Sequence, residues 1–448
     1  MKIKTKSIPL ETALQIAPPK RKPLKKPSRL FQTLVRILSI PALRATKFTY
    51  TKSRMEEAGK GPWLVLMNHS SFLDLKIASK LLYPKRYFIV STFDGLVGKE
   101  WLMRKIGCMP TQKFTTDVPL ALDMLRAVQE KKTSVLLFPE AGYSFDGKTT
   151  ALPRNMGAMV KRLGVPVVTV ITDGAFLHQP LYNELRVRKV KASAHMQCLI
   201  SKKELEEKSA EELTAMIDEA FSFDNFKTQF EKKIRITDSE RATGLQRILY
   251  RCPACNAEGK MLGKGTSLTC ETCGKSYEMD VYGRIQAVEG ETEFPHIPDW
   301  YDWERACVRR ELDEKRYRLN LEVDIAILAD HKALYRVGEG KLIHDENGFV
   351  LTDKDGAPIY RQAPLASYGL NSDFYWYEIG DVIGIGDKKR LYYCFPKQKD
   401  VVTKARFAAE ELYKIKKSEL PEVPAVEAIS PGLNTLRDNA LFGWSPPR

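Results

Sequence analysis

The sequence predicts an α/β domain with a mainly parallel sheet covered by helices, then a small cysteine ribbon, then a β-rich domain with a terminal helix. Three observations predict it. From about residue 60 to 200, short apolar runs alternate with helical patterns, as in strand–helix–strand units. Two Cys-x-x-Cys pairs then stand fourteen residues apart. Beyond about residue 295, β-prone stretches separated by Asn-Gly and Asp-Gly turns take over.

At the N-terminus, the first fifty residues hold twelve Lys/Arg against the single acid Glu11, so +11 of the formal net charge of +15 lies there. The stretch 18–23, Pro-Pro-Lys-Arg-Lys-Pro, reads as a solvated arm. In 28–38, Leu30, Leu34, Ile37 and Leu38 share one face with Arg29, Thr33 and Arg36 opposite, so an amphipathic helix is expected to end before Pro41. It either packs on its own domain or docks at a membrane interface. A basic arm beside apolar residues suits an anionic membrane surface better than nucleic acid, which is not expected as a partner. The chain has no run of about 18 apolar residues and no signal-peptide pattern. The expectation is a cytoplasmic protein, peripheral on the cytoplasmic face of the membrane.

Next, residues 63–67, 86–92, 133–138 and 165–171 read as strands with helices between them, and a last strand is expected near 192–200. Ser209-Ala210-Glu211-Glu212 offers a capping box for a following helix. Residues 226–250 are charged without a strand pattern and read as a connecting helix. The arrangement therefore divides into 1–44 (arm and docking helix), 45–225 (α/β domain), 226–250 (connector), 251–290 (ribbon), 295–420 (β-rich domain) and 421–448 (a Pro/Gly-containing tail).

Cys252-Pro253-Ala254-Cys255 and Cys270-Glu271-Thr272-Cys273 have the spacing of a closed tetrahedral zinc site. Asn256 and Gly274 follow each pair, where a knuckle turn accepts a left-handed residue. Four cysteine ligands leave no open position, so a zinc ion here is structural; a redox pair or an iron site is the alternative. Cys108, Cys198, Cys307 and Cys394 are scattered and read as small core residues. Free thiols beside a zinc ribbon fit a reducing compartment. In the last domain, strands are expected at 321–328, 349–352, 374–379 and 390–395, with a helix at 401–416. A β-sandwich or small barrel fits, a pleckstrin-homology-like module being one form. The aromatic run Phe374-Tyr375-Trp376-Tyr377 reads as core and cross-strand packing rather than a ligand platform.

The chemistry begins after the first strand of the α/β domain, where Asn68-His69-Ser70-Ser71-Phe72-Leu73-Asp74 places a histidine five residues before an aspartate. On a continuous helix that spacing separates two side chains by roughly 140°. His69 must therefore sit in the turn entering a helix, with Asp74 about one turn in and leaning back toward it. The positive end of the helix disfavours imidazolium and keeps His69 able to accept a proton. Ser70 and Ser71 read as helix-start caps rather than nucleophiles.

These residues resemble the H-x4-D motif of the glycerolipid acyltransferases, the group containing 1-acylglycerol-3-phosphate acyltransferase. Three further blocks follow in the family's order. Gly107-Cys108-Met109-Pro110-Thr111-Gln112-Lys113 stands where the family has a glycine and a P-x-x-R-like element. Phe138-Pro139-Glu140-Ala141-Gly142-Tyr143-Ser144 stands where it has F-P-E-G-T-R-S, and Val165-Pro166-Val167-Val168-Thr169-Val170 resembles its V-P-V-V-P-V-like strand. The resemblance spans about 45–225.

The resemblance implies an acyltransferase in which His69 is the general base on an acceptor hydroxyl and Asp74 holds its tautomer. Lys113, Glu140, Ala141, Gly142, Tyr143 and Ser144 would bind substrate. It also implies an acyl-CoA or acyl carrier protein donor and a lysophospholipid acceptor, most simply 1-acylglycerol 3-phosphate, in phospholipid biosynthesis. Two departures bear on the acceptor: Lys113 replaces an arginine, losing its bidentate fork, and Tyr143 replaces another outright. An acceptor phosphate would then need Lys113 with help from Arg154 or Lys148. The competing expectation is a catalytically weak lipid-binding scaffold.

Overall fold

The structure, a computed structural model, describes residues 2–113, 117–153 and 155–420. The expected tail, 421–448, lies outside the described residues, as does Arg154.

Residues 18–23 are exposed, as expected of a solvated arm, but the segment before them is packed. Strand β1 (Thr5–Ser7) joins the C-terminal sheet, and a helix, Leu10–Gln15, buries Ala13 completely in the same core. The Pro/Lys stretch then crosses to the α/β domain, where Arg21 meets Asp123 at 2.7 Å and Lys22 meets Glu100 at 2.9 Å. The arm is a strap, because Ile3, Ile8, Leu10, Ala13, Leu14 and Ile16 on either side of β1 pack into the clusters of the C-terminal domain. Pro27 seats on Gly107, where a Cβ would fall 2.8 Å from the Pro27 ring and from the Tyr87 carbonyl. That contact and a φ of +114° both require glycine at 107.

The α/β domain is built on seven strands: β2 (Thr49–Ser53), β3 (Leu64–Met67), β4 (Tyr87–Thr92), β5 (Cys108–Thr111), β6 (Ser134–Leu137), β7 (Val167–Asp173) and β8 (Ser193–Ile200). Their order is β2-β8-β7-β3-β6-β4-β5. Each adjacent pair is parallel except β7–β8. β3 is central and buried on both sides, which is why it reads as a continuous apolar run. Val65 and Met67 pack with Ile77 and Leu81 of the helix Asp74–Leu82. Leu64 and Leu66 pack against Leu120, Val160 and Ile217 on the opposite face. Each such burial contributes roughly 2 kcal/mol. The box at Ser209–Glu212 caps the helix Ala210–Ala220.

The connector is not a continuous helix. Only Asn225–Glu231 is α-helical, and Leu245–Arg247 is a single 3₁₀ turn. Gly244 at φ +80° breaks the path, and Ile236, Ala242, Leu245 and Ile248 are buried as an irregular packed segment. The ribbon follows as a four-stranded antiparallel sheet: β9 (Met261–Lys264), β10 (Ser267–Cys270), β11 (Ser276–Met279) and β12 (Ile285–Ala287).

The C-terminal domain opens with a helix, Ile297–Asp313, where β structure was expected. Seven strands follow: β13 (Leu319–Leu328), β14 (Leu334–Asp345), β15 (Gly348–Asp353), β16 (Pro358–Gln362), β17 (Asn371–Trp376), β18 (Gly380–Gly386) and β19 (Leu391–Pro396). They run in the order β16-β15-β14-β13-β19-β18-β17, every pairing antiparallel. The helix Val402–Ser418 follows the last strand. This domain docks on the α/β domain through Phe374 against Phe145, with ring centroids 4.3 Å apart. Val97 enters the cluster of Trp376, Val382 and Tyr393.

Candidate active site

His69 follows β3, and Glu140 follows the neighbouring β6, so the two motifs share the carboxyl ends of adjacent parallel strands. Asp74 is the first residue of its helix rather than one turn in, and His69 lies in the turn before it. The imidazole Nδ1 is 3.0 Å from Asp74 Oδ2, and the same oxygen accepts the N–H groups of Ser70 at 2.7 Å and Ser71 at 3.0 Å. Ser70 and Ser71 do not cap with their hydroxyls: Leu73 is the N-cap, while Ser71 Oγ accepts from Leu73 N and Ser70 Oγ from Asn68 Nδ2. Asn68, buried, ties the turn to β7 by accepting Thr172 N–H at 2.8 Å.

A donor on Nδ1 leaves Nε2 as the basic nitrogen. Burial holds the His69 pKa below its ordinary value, with Asp74 opposing that shift and the nearby Lys113 charge adding to it. The ring lies between Phe138 and Tyr143, with centroids 4.3 and 3.8 Å away, and keeps 21% of its side chain exposed. A neutral base with one open edge is the result.

Glu140 stands behind the histidine. It is 1% exposed, accepts His69 N–H at 3.1 Å and Thr150 N–H at 3.2 Å, and lies outside the cavity the histidine faces. Burial pushes its carboxyl up to about 8 against the pull of those two N–H groups. Glu140 thus contacts the turn that carries His69 rather than the cavity. Ser144 is also buried, donating to the Lys148 carbonyl at 2.6 Å. Lys148 does not reach the cavity and pairs with Asp302 at 2.7 Å. Of the residues expected to bind substrate, Lys113, Ala141 and Tyr143 line the cavity; Gly142 and Ser144 do not.

The cavity measures about 810 Å³. Its lining combines apolar side chains, among them Ile89, Val90, Met103, Leu120 and Leu137, with the polar His69, Asp94, Lys113 and Tyr143. Its far wall comes from the C-terminal domain, residues 373–378. Within the aromatic run, Phe374 and Trp376 are buried as expected, but Tyr375 and Tyr377 are only partly so. Alternation of faces along β17 carried that division. No sequence signal linked the run to the histidine.

In the ribbon, the four cysteine sulfurs lie within 4.8 Å of one another, with Cys252–Cys273 at 3.8 Å and Cys255–Cys270 at 3.7 Å. Sulfurs around a tetrahedral ion with bonds of about 2.3 Å stand about 3.8 Å apart, so the set fits a metal ion. Asn256 and Gly274 take the left-handed conformation, at φ +61° and +76°. Cys108, Cys198, Cys307 and Cys394 are buried free thiols.

No helix among the described residues is long and apolar enough to cross a membrane. The outer face of Arg29–Leu38 is nonetheless apolar, with Leu30, Leu34, Ile37 and Leu38 exposed beside Trp101 and Leu102. Its inner face is polar: Gln32 donates to the carbonyls of Tyr87 at 2.7 Å and Ile106 at 2.8 Å.

Residues 47–173 match the family model described as Acyltransferase. No curated protein matches the chain. Among solved structures, the 1-acyl-sn-glycerophosphate (LPA) acyltransferase PlsC from Thermotoga maritima is similar at 18% sequence identity, covering 46% of this chain and 80% of that one with a TM-score of 0.34. The stretch that holds β3, His69, Asp74, Glu140 and β7 is thus the part of the chain that is similar to the Acyltransferase model.

Proposed function

We propose that the protein is a lysophospholipid acyltransferase, moving a fatty acyl chain from an acyl-CoA or acyl carrier protein thioester to the free hydroxyl of a lysophospholipid. One observation carries the reading: a His69–Asp74 pair with Nε2 as its basic nitrogen lines a cavity of about 810 Å³ with both apolar and polar walls, in the stretch that matches the Acyltransferase model. Nε2 takes the proton of the acceptor hydroxyl as its oxygen attacks the thioester carbonyl. Asp74 stabilises the imidazolium that forms. On collapse the C–S bond breaks, and His69 returns the proton to the departing thiolate. No covalent enzyme intermediate is needed. The apolar part of the lining suits an acyl chain.

Membrane contact follows from the outward apolar face of Arg29–Leu38 with Trp101, set among the basic residues of the strap. The four cysteines are read as a structural zinc site, since they leave no ligand position open. The seven-strand path closed by Val402–Ser418 supports a pleckstrin-homology-like module.

The test is acylation by the purified full chain, given long-chain acyl-CoA or acyl carrier protein thioesters and a panel of lysophospholipids that includes 1-acylglycerol 3-phosphate. Phospholipid product is read by mass spectrometry. His69→Ala is expected to lower turnover at least 10³-fold, an order set by the loss of general-base catalysis. A variant still at the wild-type rate removes His69 as the base. Vesicle binding with no turnover on any acceptor would favour a scaffold.

A further inference from the structure

The catalytic cavity is completed by a segment far along the chain. Between β17 and β18 the ladder is interrupted after Asp373, and Tyr375, Tyr377 and Glu378 adopt φ of +49°, +49° and +65°. Non-glycine residues hold such conformations only where surrounding contacts fix them, and they gather at binding sites. The fixing contacts are present. Tyr375 N–H donates to Asp381 Oδ1 at 2.9 Å, and the other oxygen of Asp381 meets Arg247 at 3.2 Å. Beside this turn, Phe374 is buried against Phe145, one residue beyond the Ser144 that ends the third motif block. The turn is therefore anchored on both domains and cannot swing away without breaking a shared core.

What it brings to the cavity is two carboxylates, Asp373 and Glu378, and the phenol rings of Tyr375 and Tyr377. Among the described residues, the lining holds two lysines, Lys99 and Lys113, and four carboxylates, of which Glu184 pairs with Arg247 at 2.9 Å and Glu378 with the N-terminal amine, so Asp94 and Asp373 are the two left beside the lysines. The site that would hold a phosphate-binding arginine by family resemblance is filled by the Tyr143 ring, stacked on His69. A dianionic phosphate monoester would meet Lys113 but also the Asp373 and Asp94 charges. A head group with a phosphodiester and an ammonium meets both signs: the phosphodiester beside Lys113, the ammonium against Asp373 and the faces of Tyr143 and Tyr377. Lys113 and Asp373 lie close enough for the lysine charge to oppose the burial that lifts the Asp373 carboxyl to about 6.

We propose that Asp373, supplied by the C-terminal domain, is a specificity-determining residue that selects a lysophospholipid acceptor with an amine-bearing head group over 1-acylglycerol 3-phosphate. This rests on the reading of the cavity as a lysophospholipid acyltransferase site.

The test uses the full chain, one acyl-CoA donor and three acceptors in matched mixed micelles: 1-acylglycerol 3-phosphate, 1-acylglycerophosphoethanolamine and 1-acylglycerophosphocholine. At least one amine-bearing acceptor is expected to exceed 1-acylglycerol 3-phosphate by about tenfold or more in kcat/KM, the scale of one well-placed charged contact. Asp373→Asn is expected to raise KM for that acceptor about tenfold with kcat retained, to leave 1-acylglycerol 3-phosphate unchanged or improved, and Asp373→Glu to keep the preference. A wild-type preference for 1-acylglycerol 3-phosphate overturns the proposal while leaving the acyltransferase reading intact. So does an Asp373→Asn effect equal on all three acceptors, or absent. Acylation of none of them, with that donor or with an acyl carrier protein thioester run in parallel, removes the underlying reading and the proposal with it.

Discussion

His69 and Asp74 are joined through a single carboxylate oxygen that also accepts two backbone N–H groups, so the atom that orients the imidazole is the one that shapes the turn carrying it. Asp74 is 1% exposed, and its second oxygen is buried with no hydrogen-bond partner among the described residues. The geometry is held by three donors on one acceptor. In the proposed mechanism the charge has a separate task, stabilising the imidazolium.

Asp74→Asn separates the two. Its amide oxygen can still accept from Ser70 and Ser71, so folding is expected to persist, while turnover falls about 10²- to 10⁴-fold for want of the charge. Because burial holds the His69 pKa below its ordinary value near 6.5, the neutral base is already present at and above that pH. Wild-type kcat/KM should therefore be flat from pH 8 to about 6.5 and drop only below it. Removing the Asp74 charge, which raises the His69 pKa, should move that acid limb lower still. A limb above the ordinary histidine range would contradict the assignment.

Glu140 predicts a stability effect of definite sign. Its folded pKa is raised to about 8, so between the unfolded value near 4.5 and 8 the folded state binds the extra proton. Stability from this carboxyl is full below about pH 4.5 and is lost as pH rises toward 8, by up to on the order of 4 kcal/mol. Glu140→Gln cannot ionise and should flatten that slope. Denaturant unfolding of both proteins at pH 5, 6.5 and 8 checks it: equal slopes would mean the carboxyl is not held in its neutral form.

What could be read from the chain was what is local or periodic. Leu64–Met67 announces a central strand because both its faces are buried, and His69 and Asp74 announce a dyad because six consecutive residues contain it. β2 was missed because it is an exposed edge strand with no apolar pattern, and β14 because Gly338, Gly340 and charged residues interrupt it. The helix Ile297–Asp313 begins with Ile-Pro and is rich in charge, which hid its buried face of Trp300, Tyr301 and Val308. Asp373 could not be placed in the cavity of His69 at all, since their sharing of one cavity depends on how two domains dock rather than on any local pattern.

Ala141 offers a test of local strain. It holds φ +55° in the turn after β6, a conformation that costs a Cβ-bearing residue about 1 kcal/mol and that glycine adopts freely. Ala141→Gly is therefore expected to stabilise the protein slightly, by no more than about 1 kcal/mol after the entropy glycine adds to the unfolded chain. Denaturant midpoints of the two proteins decide it. A loss of stability would mean the Ala141 methyl makes packing contacts that outweigh its backbone strain.

The cysteine cluster predicts a metal content and a consequence for the core. Cys252 and Cys270 are fully buried and share one hydrophobic cluster with Tyr250, Tyr277 and Trp300, so the ribbon is continuous with the C-terminal domain. Tyr277 meets Trp300 edge-on at 5.0 Å, and the Trp300 indole N–H donates to the Arg251 carbonyl beside the first knuckle. Four unscreened thiolates there would repel, while four thiols would forgo the coordination bonds that close the two knuckles. Purified protein is thus expected to hold about one zinc per chain by elemental analysis, and Cys252→Ser to lose most of it. Chelation should lower the unfolding temperature of the whole C-terminal half rather than of the ribbon alone, because the Trp300 contacts carry the disturbance into the helix Ile297–Asp313. Hydrogen exchange before and after chelation follows that spread: protection lost in β9–β12 but retained in Ile297–Asp313 would show the ribbon to be an independent unit.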